Sequence, residues 1–252
     1  MTDQSGKLSH DAEIETEAEF LREYRHQKYA KPSVTVDLVI FTILDNDLKV
    51  LLVQRRGHPY KGCWALPGGF VDVGNAQDQQ GEDVEQAAHR ELAEETSLPE
   101  GSCYLEQLYT FGKASRDART RVITVAYFAL VPPHLALTVK AGDDASDARW
   151  FSVQQELPAM EVAFDHPEIL RMGVERIRGK IDYSPIAFEL LPPTFTVAEL
   201  RAVYAVVKGD DFAVKNFYRR FRRMQSDGII EKAPGFRATT TKRAAVYSFL
   251  KG

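Results

Sequence analysis

The chain has 252 residues, of which 44% are apolar and 27% charged. That mixture belongs to a globular protein with a sizeable core and excludes a disordered tract. Two cysteines, Cys63 and Cys103, exclude a disulfide frame or a thiolate zinc site. The net charge of −4 hides an asymmetry: residues 195–252 hold twelve Lys and Arg against five Asp and Glu, a local excess of +7. A basic tail on an acidic body suggests a polyanionic partner for the tail alone.

The opening twenty residues are polar and acidic, without the apolar region of a signal peptide. The longest stretch free of Asp, Glu, Lys and Arg, Val122–Val139, is broken by Pro132-Pro133-His134. It reads as two strands and a turn instead of a membrane span. A cytoplasmic setting with no membrane partner is the expectation.

Residues 1–18 are expected to form a flexible leader, followed by a short helix over Glu17 to Lys28. From Ser33 the runs SVTVDLVIFTIL and LKVLLVQR flank the turn Asp45-Asn46-Asp47, which predicts a hairpin. After the Gly/Pro-rich passage KGCWALPGGFVDVG, Val84, Ala87, Ala88 and Leu92 recur at helical spacing, predicting a helix over 82–96. Strands are expected at Tyr104–Phe111, Arg121–Val131, Leu135–Val139 and Ala148–Phe151, and a second long helix at Glu168–Arg178. Strands dominate with helices inserted between them, so the body is α+β.

Pro192-Pro193 marks a linker. Beyond it Thr196-Val197-Ala198-Glu199 is a capping box opening a helix to about Val207, ended by Gly209. Asp210 or Asp211 is expected to cap the next helix, in which Val214, Phe217, Phe221 and Met224 make one apolar stripe. A hairpin of Ile229–Ala233 and Ala244–Phe249, turning through Pro234-Gly235, completes the pattern of a winged helix-turn-helix.

The most specific chemical signal is Glu82 followed by Arg90-Glu91-Leu92-Ala93-Glu94-Glu95. Glu91, Glu94 and Glu95 at i, i+3 and i+4 place three carboxylates on one helical face, at a cost of a few tenths of a kcal/mol per like-charged pair. A cation removes that cost, and hard oxygen ligands suit Mg²⁺ or Mn²⁺. Arg90, four residues before Glu94, can hold that carboxylate in place. A solvated acidic helix face is the plain alternative for such a string taken alone.

The passages LPGGFVDVG and EDVEQAAHRELAEETSL together resemble the signature box of the Nudix hydrolases. Two departures stand out. Ser97 replaces the family's glycine, and Glu82 lies thirteen residues after Gly69, a seven-residue insert. The resemblance implies a Nudix α/β/α sandwich over residues 19–190. It also implies that Glu91, Glu94 and Glu95 bind Mg²⁺ on a diphosphate, with Glu94, Glu82 and Arg90 serving catalysis. The insert is expected to shift Glu82, and Ser97 removes a residue that tolerates positive φ at the helix end.

The segments PSVTVDLVIFTI, HPYKGCWALPGGFVD, FGKASRDARTRVITVAYFAL and AFDHPEIL, with the basic C-terminal part, resemble the NrtR type of regulator. In that type a Nudix-like domain is fused to a DNA-binding winged helix, here residues 194–252. The resemblance implies an ADP-ribose-responsive repressor of NAD metabolism genes acting as a homodimer. Retained ADP-ribose pyrophosphatase activity, a plain hydrolase of ADP-ribose or a nucleoside-diphosphate sugar, and a sugar-responsive repressor are the alternatives.

Arg55, Arg116 and Arg119 are candidate diphosphate contacts, because guanidinium forks match phosphate oxygens. Gly68 and Gly69 line the same ligand site. Asp165-His166 either shapes that site or caps the helix that follows. Trp64 and Phe70, beside the glycines, are expected in the core, with base stacking as the alternative. For double-stranded DNA the candidates are Lys215, Asn216, Arg219, Arg220, Arg222 and Arg223 on the second helix, with Arg237, Lys242 and Arg243 on the wing.

Overall fold

Two aliphatic strands turn back on each other through Asp45-Asn46, both left-handed with φ of 54° and 58°. This is the two-residue turn that matches the twist of a hairpin. It joins β1 (Ser33–Leu44) to β2 (Asp47–Arg55). The structure is a computed structural model and describes residues 31–74, 81–99, 101–138, 145–238 and 243–250. The leader, the helix expected over Glu17 to Lys28, most of the insert and Lys242 lie outside the described residues.

β1 is buried on both faces, which is why its sequence reads as nearly continuous hydrophobic residues and not as an alternation. It runs parallel to β6 (Val122–Leu130) and antiparallel to β4 (Gly68–Phe70). The sheet order is β3-β2-β1-β6-β5, with β3 at Trp64–Ala65 and β5 at Tyr104–Phe111. β4 adds to β1, and β7 (Ala145–Ser152) adds to β2.

Helices cover the two faces. On one, α1 (Val84–Thr96) sets Ala87, Ala88 and Leu92 against Val36, Leu38 and Ile40. The alternate β1 residues, Val39 and Phe41, face Ile169, Leu170 and Ile177 of a later helix, His166–Lys180. Each such aliphatic side chain, fully buried, contributes roughly 1.5–3 kcal/mol. Gly173 lets that later helix lie close to the sheet, since a Cβ there would meet Val39 Cγ1 at 3.1 Å and Phe41 at 3.4 Å.

One expected strand is overturned. In place of the strand expected over Leu135–Val139, whose last residue lies outside the described residues, Pro133–Ala136 winds into a short helix, α2, and the longer helix His166–Lys180 is therefore α3. Proline at a first helical position has its φ already set and gives up an amide that has no helical partner.

The C-terminal part starts with a 3₁₀ turn, Pro185–Leu190, and β8 (Thr194–Thr196). α4 (Val197–Lys208) carries the full capping box: the Thr196 hydroxyl accepts from the Glu199 amide, and the Glu199 carboxylate accepts from the Thr196 amide. α5 (Val214–Ser226) and the strands β9 (Ile230–Ala238) and β10 (Arg243–Phe249) complete a winged helix, with β10 central between β8 and β9. Phe188, Leu200, Val203, Phe217 and Phe221 belong to the same apolar cluster as Phe41, Leu52 and Ile177, so this core is continuous with the α3 face of the sheet.

Three local expectations for this part are corrected. Asp210 and Asp211 lie in a 3₁₀ turn, and the residue before α5 is Ala213, with no side-chain cap. Val214 is 49% exposed, so the buried stripe of α5 is Phe217, Phe221 and Met224 only. Pro234-Gly235 is no turn: β9 runs through it, and the register slips opposite Ala245 and Tyr247 to absorb it. β9 lies at the sheet edge, where proline costs no ladder hydrogen bond. Among the described residues no helix is long and apolar enough to cross a membrane.

Candidate functional site

Arg90 organises the acidic face of α1. Its Nη1 donates to Glu91 Oε1 at 2.7 Å and to Glu94 Oε2 at 3.1 Å. Its Nε and Nη2 take the Glu82 carboxylate at 3.0 and 2.6 Å, and Nη2 also reaches the Phe70 carbonyl at 3.2 Å. Across the insert, Glu82 is held both by Arg90 and by the strand end before it. The Asp72 amide donates to Glu82 Oε1 and the Glu82 amide to the Asp72 carbonyl, both at 2.9 Å, so the insert is closed at its base. Hydrogen bonding to Arg90 holds the Glu82 carboxyl below the usual range. Burial pushes the Glu91 carboxyl up, against the pull of Arg90.

Glu91 and Glu95 are buried, whereas Glu94 is exposed. A Cβ on Gly69 would lie 2.2 Å from Glu91 Oε1, so the bare glycine backbone is what seats this carboxylate. Gly68, at φ 145°, would place a Cβ 2.1 Å from the Val36 carbonyl oxygen, and only glycine fits there. At the helix end Ser97 takes the left-handed conformation (φ 57°, ψ 22°), its amide bonded to the Ala93 carbonyl. The turn therefore forms without glycine, at a conformational cost of roughly 1 kcal/mol.

Beneath the glycines lies a buried polar cluster. Arg116 donates to Asp165 at 2.8 and 3.0 Å and to Asp37 at 3.0 Å. This placement is at odds with its expected role as a diphosphate contact: it is 9% exposed, with Nε and Nη2 given to the buried Asp37 and the half-buried Asp165. Burial by itself disfavours the Arg116 charge, but Asp165 and Asp37 more than offset it and raise its pKa. Asp165 precedes α3 without capping it through its side chain, because it serves Arg116. His166 Nδ1 accepts from the Leu66 amide at 2.8 Å, which leaves the proton on Nε2, facing Asp37 at 3.7 Å. Burial lowers the His166 pKa and keeps the ring neutral.

Arg55 and Arg119 are placed differently. Arg55 donates to the Pro59 carbonyl at 2.8 Å, and its guanidinium lies 4.9 Å from the centre of the Phe164 ring. Its pKa is lowered by burial and then by the charge of Arg119. Arg119 pairs with Asp117 at 2.7 Å and lies 5.9 Å from the Phe70 ring, with almost half its side chain open to solvent. The Arg119 charge thus opposes that of Arg55, while Asp117 raises the pKa of Arg119 itself. Trp64 packs in the core against Phe151, as expected, but Phe70 does not: it is 49% exposed between Arg90 and Arg119. Tyr60, 46% exposed, stands edge-on to Phe164 at 4.7 Å.

On α5, Lys215, Asn216, Arg219, Arg222 and Arg223 are exposed, with Arg223 near Asp227 at 3.4 Å. Arg220 is not on that surface. Its Nη1 donates to the Ile181 carbonyl at 2.6 Å, its Nη2 to the Asp182 carbonyl, and it touches the Tyr204 hydroxyl at 3.2 Å. Arg237 is likewise committed, to Glu199 at 2.6 Å and the Thr194 carbonyl at 2.8 Å, fixing the wing to the start of α4. Arg243 stays exposed, 5.7 Å from the Phe236 ring.

The family model for the NUDIX domain matches residues 34–172, more than half of the chain. The chain belongs to the Nudix family. Residues 187–249 match the NrtR DNA-binding winged helix domain, so the Nudix domain carries this second module on the same chain. The chain is similar to the ADPR responsive transcriptional repressor NtrR of Acinetobacter baylyi, at 34% identity over 93% of this chain and 88% of that one. It is similar to the Shewanella oneidensis NrtR solved with a 27mer DNA, at 36% identity and a TM-score of 0.73, covering 86% and 93% of the two chains. The NUDIX domain of that NrtR, solved with ADP ribose, is 41% identical with a TM-score of 0.53, over 64% of this chain and 99% of that one.

Nudix hydrolases in general use a divalent metal. The donors here fit one chemically: they are carboxylate oxygens, and the single Arg90 Nη1 already draws Glu91 and Glu94 together. Among the described residues no set of three such groups is gathered in advance, because Glu94 faces solvent while Glu91 and Glu95 face inward. Sequence reasoning missed Tyr60 and Phe164 around the arginines and the exposed Tyr218 of α5, and it set Phe70 in the core ahead of base stacking. Only the adjacency of Phe70 to the two glycines marked it in advance, and the same adjacency fits a core residue.

Proposed function

We propose that this Nudix protein is a transcriptional repressor that binds double-stranded DNA through α5 and the wing and responds to ADP-ribose bound at the Nudix domain. The observation that carries the reading is the union in one chain of two groups of cationic side chains that suit anions. One is the Arg55–Arg119 pair beside the exposed rings of Phe70 and Tyr60; the other is the exposed basic face of α5. The similar Acinetobacter and Shewanella proteins support both halves, one named for its response to ADPR and the other solved with DNA.

In this reading Arg55 and Arg119 hold the diphosphate, and Phe70 and Tyr60 offer faces or edges to the base or ribose. Gly68 and Gly69 give the ligand close access to the backbone. Lys215, Arg219, Arg222, Arg223 and Arg243 neutralise DNA phosphates or reach guanine edges, and Asn216 reads adenine. Single winged helices bind weakly, so the operator is roughly palindromic and read by a homodimer. Genes of NAD metabolism are its proposed targets, and the cytoplasm its compartment.

A retained pyrophosphatase activity is favoured by one observation: the insert leaves Glu82 on Arg90, so the acidic network is intact. Glu91, Glu94 and Glu95 would hold Mg²⁺ or Mn²⁺, which when bound neutralises phosphate charge and activates water. Arg90 holds Glu82 and Glu94 in place and favours the ionised Glu82 carboxylate, and buried Glu91 is fixed by Gly69. AMP release from ADP-ribose, lost in Glu94→Gln, tests this activity.

The repressor reading is tested by gel shift with the duplex upstream of the chain's own gene, at low salt and with rising ADP-ribose. A retarded band whose intensity changes with ADP-ribose supports it. No band under any of these conditions refutes it.

A further inference from the structure

We infer that Arg220 is a positioning residue that locks the DNA-reading helix onto the end of α3, so that α3 links the ligand site to the winged helix. The inference rests on the repressor reading above and removes Arg220 from the DNA contacts that its sequence neighbours suggest.

Both ends of α3 are tied down, by different domains. At its start, His166 accepts from the Leu66 amide, two residues ahead of Gly68, and Asp165 is bridged by Arg116 to Asp37 of β1. Asp37 is itself paired in register with Gly68. At mid-helix Gly173 closes the gap to Val39 and Phe41. The beginning of α3 is therefore part of the support under the glycine loop and beside Phe164, whose ring faces Arg55.

The other end is held by the winged helix. Arg178 Nε donates to the Val207 carbonyl at 3.2 Å, and Lys208 reaches Asp182 Oδ2 at 2.7 Å. The Tyr204 hydroxyl donates to the Ile181 carbonyl at 3.3 Å. These three fix α4. Arg220 ties α5 directly to the end of α3, through the Ile181 and Asp182 carbonyls, with the Tyr204 ring 5.4 Å away, whereas Arg201 joins α4 to α5 through the Tyr218 hydroxyl at 3.4 Å. A helix of fifteen residues spans about 22 Å, so a small tilt at the ligand end displaces the far end and, through Arg220, α5.

A guanidinium given to two carbonyls and a hydroxyl keeps only its Nε–H and one Nη2–H for any further partner. The two roles separate experimentally. For the full-length chain, DNA affinity is measured against salt with and without ADP-ribose, for wild type, Arg220→Ala and Arg219→Ala. The expected result for Arg220→Ala is an unchanged salt slope, with the ADP-ribose effect falling from the usual 5- to 150-fold to less than about 2-fold. Arg219→Ala is expected to do the reverse, lowering the slope by about 0.9 for one lost phosphate and keeping the ADP-ribose effect.

A lower slope in Arg220→Ala, or an ADP-ribose effect equal to wild type, overturns the inference. Where Arg220→Ala fails to fold, Tyr204→Phe replaces it. That variant removes the hydroxyl bonded to both Arg220 and Ile181, and its ADP-ribose effect is expected to drop several-fold at constant slope; an undiminished effect overturns the inference. A wild-type chain that does not bind DNA, or ignores ADP-ribose, is distinguishable from these results and overturns the repressor reading itself.

Discussion

The Glu91 carboxylate sits where a side chain on Gly69 would be, with Oε1 2.2 Å from the position of a Cβ. The obstacle is the end of a flexible side chain and Gly69 has no positive φ, so Gly69→Ala displaces Glu91 without much effect on folding. Metal-dependent turnover of ADP-ribose is expected to fall at least 10-fold, with stability changed by less than about 1 kcal/mol. Gly68→Ala differs, because its Cβ would strike the Val36 backbone at φ 145°. It is expected to destabilise the fold by about 2 kcal/mol or more. Thermal unfolding alongside AMP release checks both, and equal destabilisation by the two contradicts the assignment.

Arg116 and Arg119 are three positions apart and predict opposite phenotypes. Arg116→Ala strands Asp37 and Asp165 in a buried setting and is expected to cost about 3–5 kcal/mol of stability. Arg119 is open to solvent, but its partner Asp117 is buried and keeps only the Arg119 amide as a donor among the described residues, so Arg119→Ala should cost about 1–2 kcal/mol, less than Arg116→Ala. Loss of its charge-assisted bond to phosphate should weaken ADP-ribose binding by roughly 10-fold or more. Chemical denaturation and calorimetry distinguish the two.

Ser97 holds a left-handed conformation for which glycine is the ordinary solution. Ser97→Gly relieves roughly 1–2 kcal/mol of strain and loses part of that to the freer unfolded chain. The expected gain is about 0.5–1 kcal/mol, seen as a rise in Tm of a few degrees. A fall in Tm contradicts the strain.

His166 is buried and neutral, with a pKa below its ordinary 6.5. The unfolded chain takes up a proton on this residue below pH 6.5, whereas the folded chain resists it. Stability therefore rises with pH in that window and is lost as pH falls from 6.5 toward the lowered folded value. Thermal unfolding of wild type from pH 7.5 to 5 should show this decline. His166→Asn, whose amide oxygen can still accept from Leu66, should flatten it; an unchanged decline assigns the effect to another group.

What was legible in the sequence is what neighbours along the chain decide. The Asp45-Asn46 turn, the α1 stripe of Ala87, Ala88 and Leu92, and the Thr196–Glu199 capping box are set within a few residues and stand as read. The choice of partner across the fold was not legible. Arg116, Arg220 and Arg237 look like their exposed neighbours in sequence, and only tertiary packing supplies the Asp165, Ile181 and Glu199 that occupy them. Pro132-Pro133 and Pro234-Gly235 misled in opposite directions. One started a helix where a strand was expected, and the other sat inside an edge strand where a turn was expected.

Coupling between the two sites is best measured as linkage: the Kd for ADP-ribose is determined on the full chain, free and saturated with its operator duplex. A repressor of this construction predicts that the duplex shifts the ADP-ribose Kd by the same factor by which ADP-ribose shifts the DNA Kd, at least about 5-fold in each direction of the cycle. An ADP-ribose Kd that is identical with and without the duplex contradicts it.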